Sequence, residues 1–176
     1  MGVRPRHIQR MSMTTLAWLD RLTAIDTVSR HSNLGLIETV RDALKRHGLD
    51  PWLNLNAEGT KANLFCTLPA QNGATQGGIA LSGHTDVVPV DGQDWATDPF
   101  KLTEQDGKLY ARGACDMKGF IAASLALVPE FLALPRSQPL HLALSYDEEV
   151  SCLGAPFMLA ELQQRARFVR ITGATL

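Results

Sequence analysis

The stretch 81-LSGHTDVVPV-90 follows an apolar lead-in, 79-IALSG-83, and sets His84 and Asp86 where a short buried strand ends. An imidazole and a carboxylate in such surroundings cost free energy unless each finds a partner. Either they satisfy each other and the nearby backbone, or something cationic sits there. Continuous apolarity over 79-IALSGH-84 is the pattern of a strand in a sheet covered on both faces. A second apolar strand, 139-PLHLALSYDEE-149, ends in three consecutive acids.

Around these two strands the chain alternates helix and strand signals. Residues 14-TTLAWLDRLTAIDTVS-29 carry Leu16, Leu19, Leu22 and Ile25 at helical spacing behind a Thr cap. In 33-NLGLIETVRDALKRHG-48, Leu36, Ile37, Val40 and Leu44 lie between candidate caps Asn33 and Gly48. Strand-type runs follow at 51-PWLNLNA-57 and 62-ANLFCTLP-69, then a turn-rich loop, 70-AQNGATQGG-78. The loop 89-PVDGQDWATDPF-100 leads to a hairpin arm, 107-GKLYARG-113, with Trp95 and Phe100 expected to pack the loop onto the sheet. Residues 116–134 read as one helix opened by Asp116 and bent at Pro129. A last helix runs from Gly154 or Pro156 to about Arg165, and 167-RFVRITG-173 reads as a further strand. The alternation predicts an α/β fold, a layered sheet flanked by helices.

Composition bounds the function. The 176 residues, 45% apolar, favour one domain or part of a larger one. A net charge of -1 without a basic patch argues against nucleic acid and against a membrane surface. The longest apolar stretch, 120-FIAASLALV-128, is too short to span a bilayer. Residues 1–13 read as a basic N-terminal tail, since no apolar segment of a secretory signal follows 1-MGVRPRHIQR-10. Three scattered cysteines without a CxxC fit a reducing, cytoplasmic setting.

Three strand or loop ends carry the chemistry: His84 and Asp86, Asp116 within 112-RGACDMKG-119, and 147-DEE-149. In open α/β sheets ligands collect outside the carboxyl ends of strands. One imidazole and several carboxylates suit Zn²⁺ or a similar divalent ion. Left alone, so many acids would repel and take up protons; a pair of metal ions resolves that conflict. Asp86, two residues from His84, shares its face of the strand and is placed to orient the ring. Asp116, at a helix N-terminus, is a candidate bridge between two metals about 3.5–4 Å apart. Glu148 and Glu149 diverge in extended chain, so one can ligate metal while the other reaches a water and moves its proton. Taken singly, His84 is a core histidine, Asp116 a helix cap and 147-DEE-149 a solvated strand end; their conjunction reverses those readings. Lys118 and Arg112 read as structural partners for the acids, Cys115 as a packed small residue, and His7, His31, His47 and His141 as surface or helix-end residues.

GHTDVVPV, RGACDMKG and SYDEEVSCLGA resemble the motifs of the co-catalytic zinc amidohydrolases and peptidases. That family includes acetylornithine deacetylase, succinyl-diaminopimelate desuccinylase, aminoacylases and carboxypeptidase G-type enzymes. The WATDPF loop and the SYDEEVSCLGA wording look closest to the acetylornithine deacetylases, and the resemblance runs from roughly Leu16 to Leu162. It implies two Zn²⁺ per complete site, with Co²⁺ as an alternative. His84 resembles the first zinc ligand, Asp86 the residue that orients it, and Asp116 the bridging ligand, often followed by a cis peptide, here before Met117. Glu148 resembles the general base and Glu149 a ligand to the second zinc. The implied reaction is hydrolysis of an N-acyl amino acid amide by metal-activated water. N-Acetylornithine, cleaved to ornithine and acetate in arginine biosynthesis, is the first substrate; succinylated or peptide substrates are alternatives. The partner is then a small molecule, and family members are often homodimeric through a lid or dimerisation domain.

The resemblance also implies that residues 14–176 are an incomplete zinc-hydrolase catalytic domain without that lid. The chain reads 171-ITGATL-176, with Ala174 where the family carries an acid in a Gly-Glu-Pro-like turn. The family's distal His ligand lies further on. A non-catalytic remnant, at most a weak metal-binding module, is the alternative expectation.

Overall fold

The computed structural model describes residues 13–166. Residues 1–12 of the expected basic tail and the strand expected over 167–173 lie outside the described residues.

Helix α1 (Thr15–Thr23) starts where the Thr14 hydroxyl accepts the Ala17 N–H at 3.1 Å, as the sequence predicts. It stops six residues short of the predicted end. The Thr23 hydroxyl bonds back to the Leu19 carbonyl at 2.9 Å, and Val28 then pairs with Val87 as an isolated parallel bridge. Trp18 is buried, whereas Leu16 is 50% exposed. Helix α2 (Leu34–Arg46) is followed by Gly48 at φ +76°, the left-handed turn for which a glycine was expected. Asn33 stands at the cap position, but its side chain does not cap. Its amide accepts the Ala62 N–H at 2.9 Å and donates to the Ala62 carbonyl at 2.8 Å and the Thr85 hydroxyl at 2.9 Å. The hydroxyl of Ser32 takes the Leu34 N–H instead, at 3.2 Å.

Strands β1 (Trp52–Leu55), β2 (Ala62–Leu68) and β3 (Ile79–His84) are followed by the hairpin β4 (Thr103–Gln105) and β5 (Lys108–Tyr110). The helix predicted over 116–134 is two: α3 (Lys118–Ala126) and α4 (Val128–Ala133). Pro129 lies in the first turn of α4, where its missing N–H leaves no bond unmade. Strand β6 (Leu140–Ser145) and helix α5 (Gly154–Ala166) complete the described chain. The main sheet has the order β1-β2-β6-β3, with β1/β2 and β2/β6 antiparallel and β6/β3 parallel.

Alternation along β2 sorts the core. Leu64, Cys66 and Leu68 join α1, α2 and α3 in one apolar cluster, while Phe65 with Ala143 meets Met158 and Leu162 of α5 in another. The fold is thus a mixed sheet flanked by helices, in the predicted α/β class. Two further expectations are corrected. Strand β3 is the edge of the described sheet: Ile79 is 66% exposed, and only Gly83 and His84 of β3 are buried. His141, expected at the surface, is buried, its ring nitrogens bonded to the Thr67 hydroxyl and the Gly77 carbonyl. Among the described residues no helix is long and apolar enough to cross a membrane.

Asn33 fastens the start of α2 to β2 and to the segment after β3. Replacing it by Ala leaves the Ala62 N–H and carbonyl buried without partners, each lost bond costing about 1–3 kcal/mol. Urea unfolding of Asn33→Ala is expected to show a lower midpoint with an unchanged slope.

Candidate active site

Parallel pairing sets the site. The β3/β6 register places His84 opposite Ser145, so both strands deliver their following residues to the same edge. Just past β3, the Thr85 N–H and hydroxyl both bond the Ser145 carbonyl, at 2.8 and 2.9 Å, and the Thr27 hydroxyl donates to the Thr85 carbonyl. Past β6 the chain does not stay extended. Asp147 takes φ +56°, and the loop closes through Leu153 N–H to Asp147 carbonyl at 3.0 Å and Gly154 N–H to Tyr146 carbonyl at 3.1 Å. Glycine is required at 154, because a Cβ there would lie 2.4 Å from the Tyr146 carbonyl. Glu148 and Glu149 therefore sit in a turn, which brings them together instead of letting them diverge.

The Asp86 carboxylate is buried and accepts three hydrogen bonds: from the Ser29 hydroxyl at 2.7 Å, the Glu148 N–H at 3.0 Å and the Glu149 N–H at 3.2 Å. Burial pushes its pKa up, but the nearby His84 ring and the bonds from Ser29 and the two amides more than compensate and hold it below the ordinary value. The His84 Nδ1 donates to the main-chain carbonyl of Asp86 at 3.0 Å, while the Asp86 carboxylate is 3.6 Å away. The ring is thus oriented by Asp86, with the backbone as the nearer acceptor. A carbonyl only accepts, so the proton stays on Nδ1 and Nε2 is the nitrogen left for a ligand.

Nε2 faces acids. It lies 3.0 Å from Asp116 Oδ1 and 3.8 Å from Glu148 Oε2. Burial opposes the charged ring, yet the bonds to Asp86 and Asp116 raise its pKa to about 9. Burial and the neighbouring Asp116 charge push the Glu149 carboxyl above its ordinary value, against the pull of His84. One ligand atom from each of His84, Glu148 and Glu149 lies within 4.8 Å of the others. With Asp116 against the same nitrogen, this crowded set of one imidazole and three carboxylates fits a divalent cation of the zinc class. The Asp116 side chain is 75% exposed, and the Asp116–Met117 peptide is cis. Met117, not Asp116, occupies the cap position of α3.

Several neighbours have other duties. Asp147, the first of the three acids, is paired with Lys61, whose Nζ lies 2.5 and 2.7 Å from its two oxygens. Lys118 is fully buried and donates to the Ile25 carbonyl at 2.7 Å, not to a site acid. Burial lowers its pKa to about 8. Arg112 stacks over Trp95 and bonds Gln93, again away from the acids. Ser29 and Lys61 have no local sequence signal; their contacts with Asp86 and Asp147 span 57 and 86 residues.

Between its unfolded value near 6.5 and about 9 in the fold, His84 holds its proton only when folded. The native state then binds more protons than the unfolded chain, so stability falls as pH rises through that window. In metal-free protein the loss due to His84 is expected to reach about 3 kcal/mol. Lys118, whose pKa is lowered to about 8, acts in the opposite sense above about pH 8, so the His84 share is the part of the change in urea-unfolding free energy between pH 6 and pH 9.5 that His84→Gln removes.

The model of Peptidase family M20/M25/M40 matches residues 80–175. The acetylornithine deacetylase of Yersinia pestis is 43% identical over 112 residues, covering 63% of this chain and 29% of that protein. The crystal structure of human carnosine dipeptidase 1 superposes with a TM-score of 0.71 at 26% identity, over 90% of this chain and 36% of that one. A dinuclear metal binding peptidase of the M20 family from Bacillus subtilis shares the fold at a TM-score of 0.56 and 18% identity, over 86% of this chain and 39% of that one. The chain thus spans about a third of the length of these relatives. With more than half of its residues inside the family model, the chain belongs to Peptidase family M20/M25/M40.

Proposed function

We propose that this domain binds a pair of divalent metal ions, zinc or cobalt, and that the protein carrying it hydrolyses N-acyl amino acid amides, N-acetylornithine first among them. The observation that carries this reading is the convergence of His84, Glu148 and Glu149 ligand atoms within 4.8 Å, with Asp116 3.0 Å from the free ring nitrogen. The identity to an acetylornithine deacetylase supports the substrate. The likeness to a carnosine dipeptidase favours a peptide amide as the second reading.

In this reading His84, through Nε2, Asp116 and Glu149 are the residues that would hold the ions, Asp116 being the candidate shared ligand. Bound metal ions acidify water and polarise the acyl carbonyl. Asp86 keeps the His84 ring turned, with its Nδ1 proton engaged. Glu148, whose side chain is 46% exposed and whose amide is tied to Asp86, keeps its carboxylate at the site, with Oε2 3.8 Å from His84 Nε2 and Oε1 3.9 Å from the Cys152 thiol. It takes a proton from water and returns it to the leaving amine.

Calorimetric titration with Zn²⁺ tests the metal reading. Asp116→Ala is expected to weaken binding at least tenfold; equal affinities in the two proteins would refute it. Glu148→Gln is expected to keep the metal while N-acetylornithine hydrolysis falls about 10²–10⁴-fold, the share a positioned base supplies. Faster turnover of a dipeptide than of N-acetylornithine would replace the acyl substrate with the peptide one.

A further inference from the structure

We infer that Lys61, which stands just before β2 and outside the site, is a positioning residue for the acidic pair Glu148–Glu149 and acts through Asp147. The inference rests on the reading of Glu148 and Glu149 as the site's working acids.

The ammonium of Lys61 has three protons and three acceptors: both oxygens of Asp147, at 2.5 and 2.7 Å, and the main-chain carbonyl of Ser29. The two side chains are 15% and 9% exposed, so the pair is largely shielded from solvent. Each of its partners leads into the site. Asp147 directly precedes Glu148 and supplies the φ +56° kink that turns the chain after β6. Ser29 donates its hydroxyl to Asp86, and Asp86 accepts the amides of Glu148 and Glu149. The contacts therefore close on themselves, from Lys61 through Asp147 and the acidic turn to Asp86, and back through Ser29 to Lys61.

Asn63, two residues along, holds the foot of the same loop. It accepts the Tyr146 N–H at 3.2 Å and donates to the Gly154 carbonyl at 2.9 Å. Asn63 fixes where the loop leaves and rejoins the fold, and Lys61 fixes how its first residue is turned. Five carboxylates meet at this edge, from Asp86, Asp116, Asp147, Glu148 and Glu149, and Lys61 neutralises the one that does not face His84. Without Lys61, Asp147 becomes an unpaired buried acid, free to turn toward solvent and to take the Glu148 and Glu149 amides off Asp86.

Amide hydrogen exchange in the metal-free chain tests this directly. Lys61→Met and Asp147→Asn are each expected to speed exchange at Glu148 and Glu149 at least tenfold. The double variant should be no faster than the faster single one, because the two residues act as one unit. The Leu142 and Leu144 amides of the β6 ladder should keep their protection, which a general loss of stability would not allow. Co²⁺ affinity should fall at least tenfold in either variant. Exchange at Glu148 and Glu149 within twofold of the unsubstituted chain, or acceleration shared equally by the β6 amides, overturns the inference. If Lys61→Met does not fold, Asp147→Asn carries the same criteria. Failure of the unsubstituted chain to bind Co²⁺ would sink the metal reading alone, because the exchange comparison contains no metal.

Discussion

The parallel pairing of β3 with β6 is the constraint on which the site depends. Six residue pairs, from Ile79 opposite Leu140 to His84 opposite Ser145, fix the register. Strands that run the same way finish at the same edge, so the residues after His84 and after Ser145 meet without any further device. An antiparallel pairing would put His84 and the 147–149 acids at opposite ends of the sheet. A parallel pair needs a long crossover, and here α3 and α4 lie between the two strands in sequence. That crossover packs Ile121, Leu125 and Val128 into the same apolar cluster as Leu64, Leu142 and Leu144. The burial that stabilises the sheet therefore also fixes where the strand ends that carry His84 and the acids lie.

Within that frame a single buried carboxylate organises the edge. Asp86 is shielded from water, and a charge in that position is tolerable only when its lone pairs are occupied. The Ser29 hydroxyl and the amides of Glu148 and Glu149 occupy them, which ties three separate segments to one point. The same residue offers its main-chain carbonyl to His84. Acids then outnumber cations around Nε2. That excess of negative charge raises the His84 pKa and adds to the effect of burial in raising that of Glu149; protons relieve it in the metal-free protein, and a divalent ion would relieve it better.

Much of this is legible in the sequence because the informative residues follow strongly apolar runs. His84, Asp86, Glu148 and Glu149 could be placed at strand ends by pattern alone, and Asp116 at a helix N-terminus, one residue before the cap position that Met117 takes. What pattern cannot give is a side chain's partner across long separations. Asn33 reads as a cap by its position, yet two other strand ends claim its amide. The resemblance singles out Glu148 and Glu149 among the acids of 147-DEE-149, but the partner that occupies Asp147, Lys61, lies 86 residues away and leaves no local signal. Extended geometry was the wrong assumption for Glu148 and Glu149, because Asp147 turns the chain at once. His141 has the composition of a surface residue and the burial of a core one, its ring stacked on Phe65. The errors at helix ends are of another kind: the periodicity of 14–29 continues past the point where Thr23 hydrogen-bonds the helix to a stop.

The closed foot of the 146–154 loop carries a consequence for how such a chain can vary. Tyr146 and Gly154 are joined to each other and to Asn63, which anchors the sheet and α5 independently of the tip at 150–153. Val150 and Leu153 are 44% and 51% exposed and support no core. Residues could be inserted, lost or exchanged at that tip while the ladder below stays intact. Drift in evolution can therefore reshape the rim above the acids freely, while Asn63, Tyr146 and Gly154 stay pinned by the geometry of the hinge they form together.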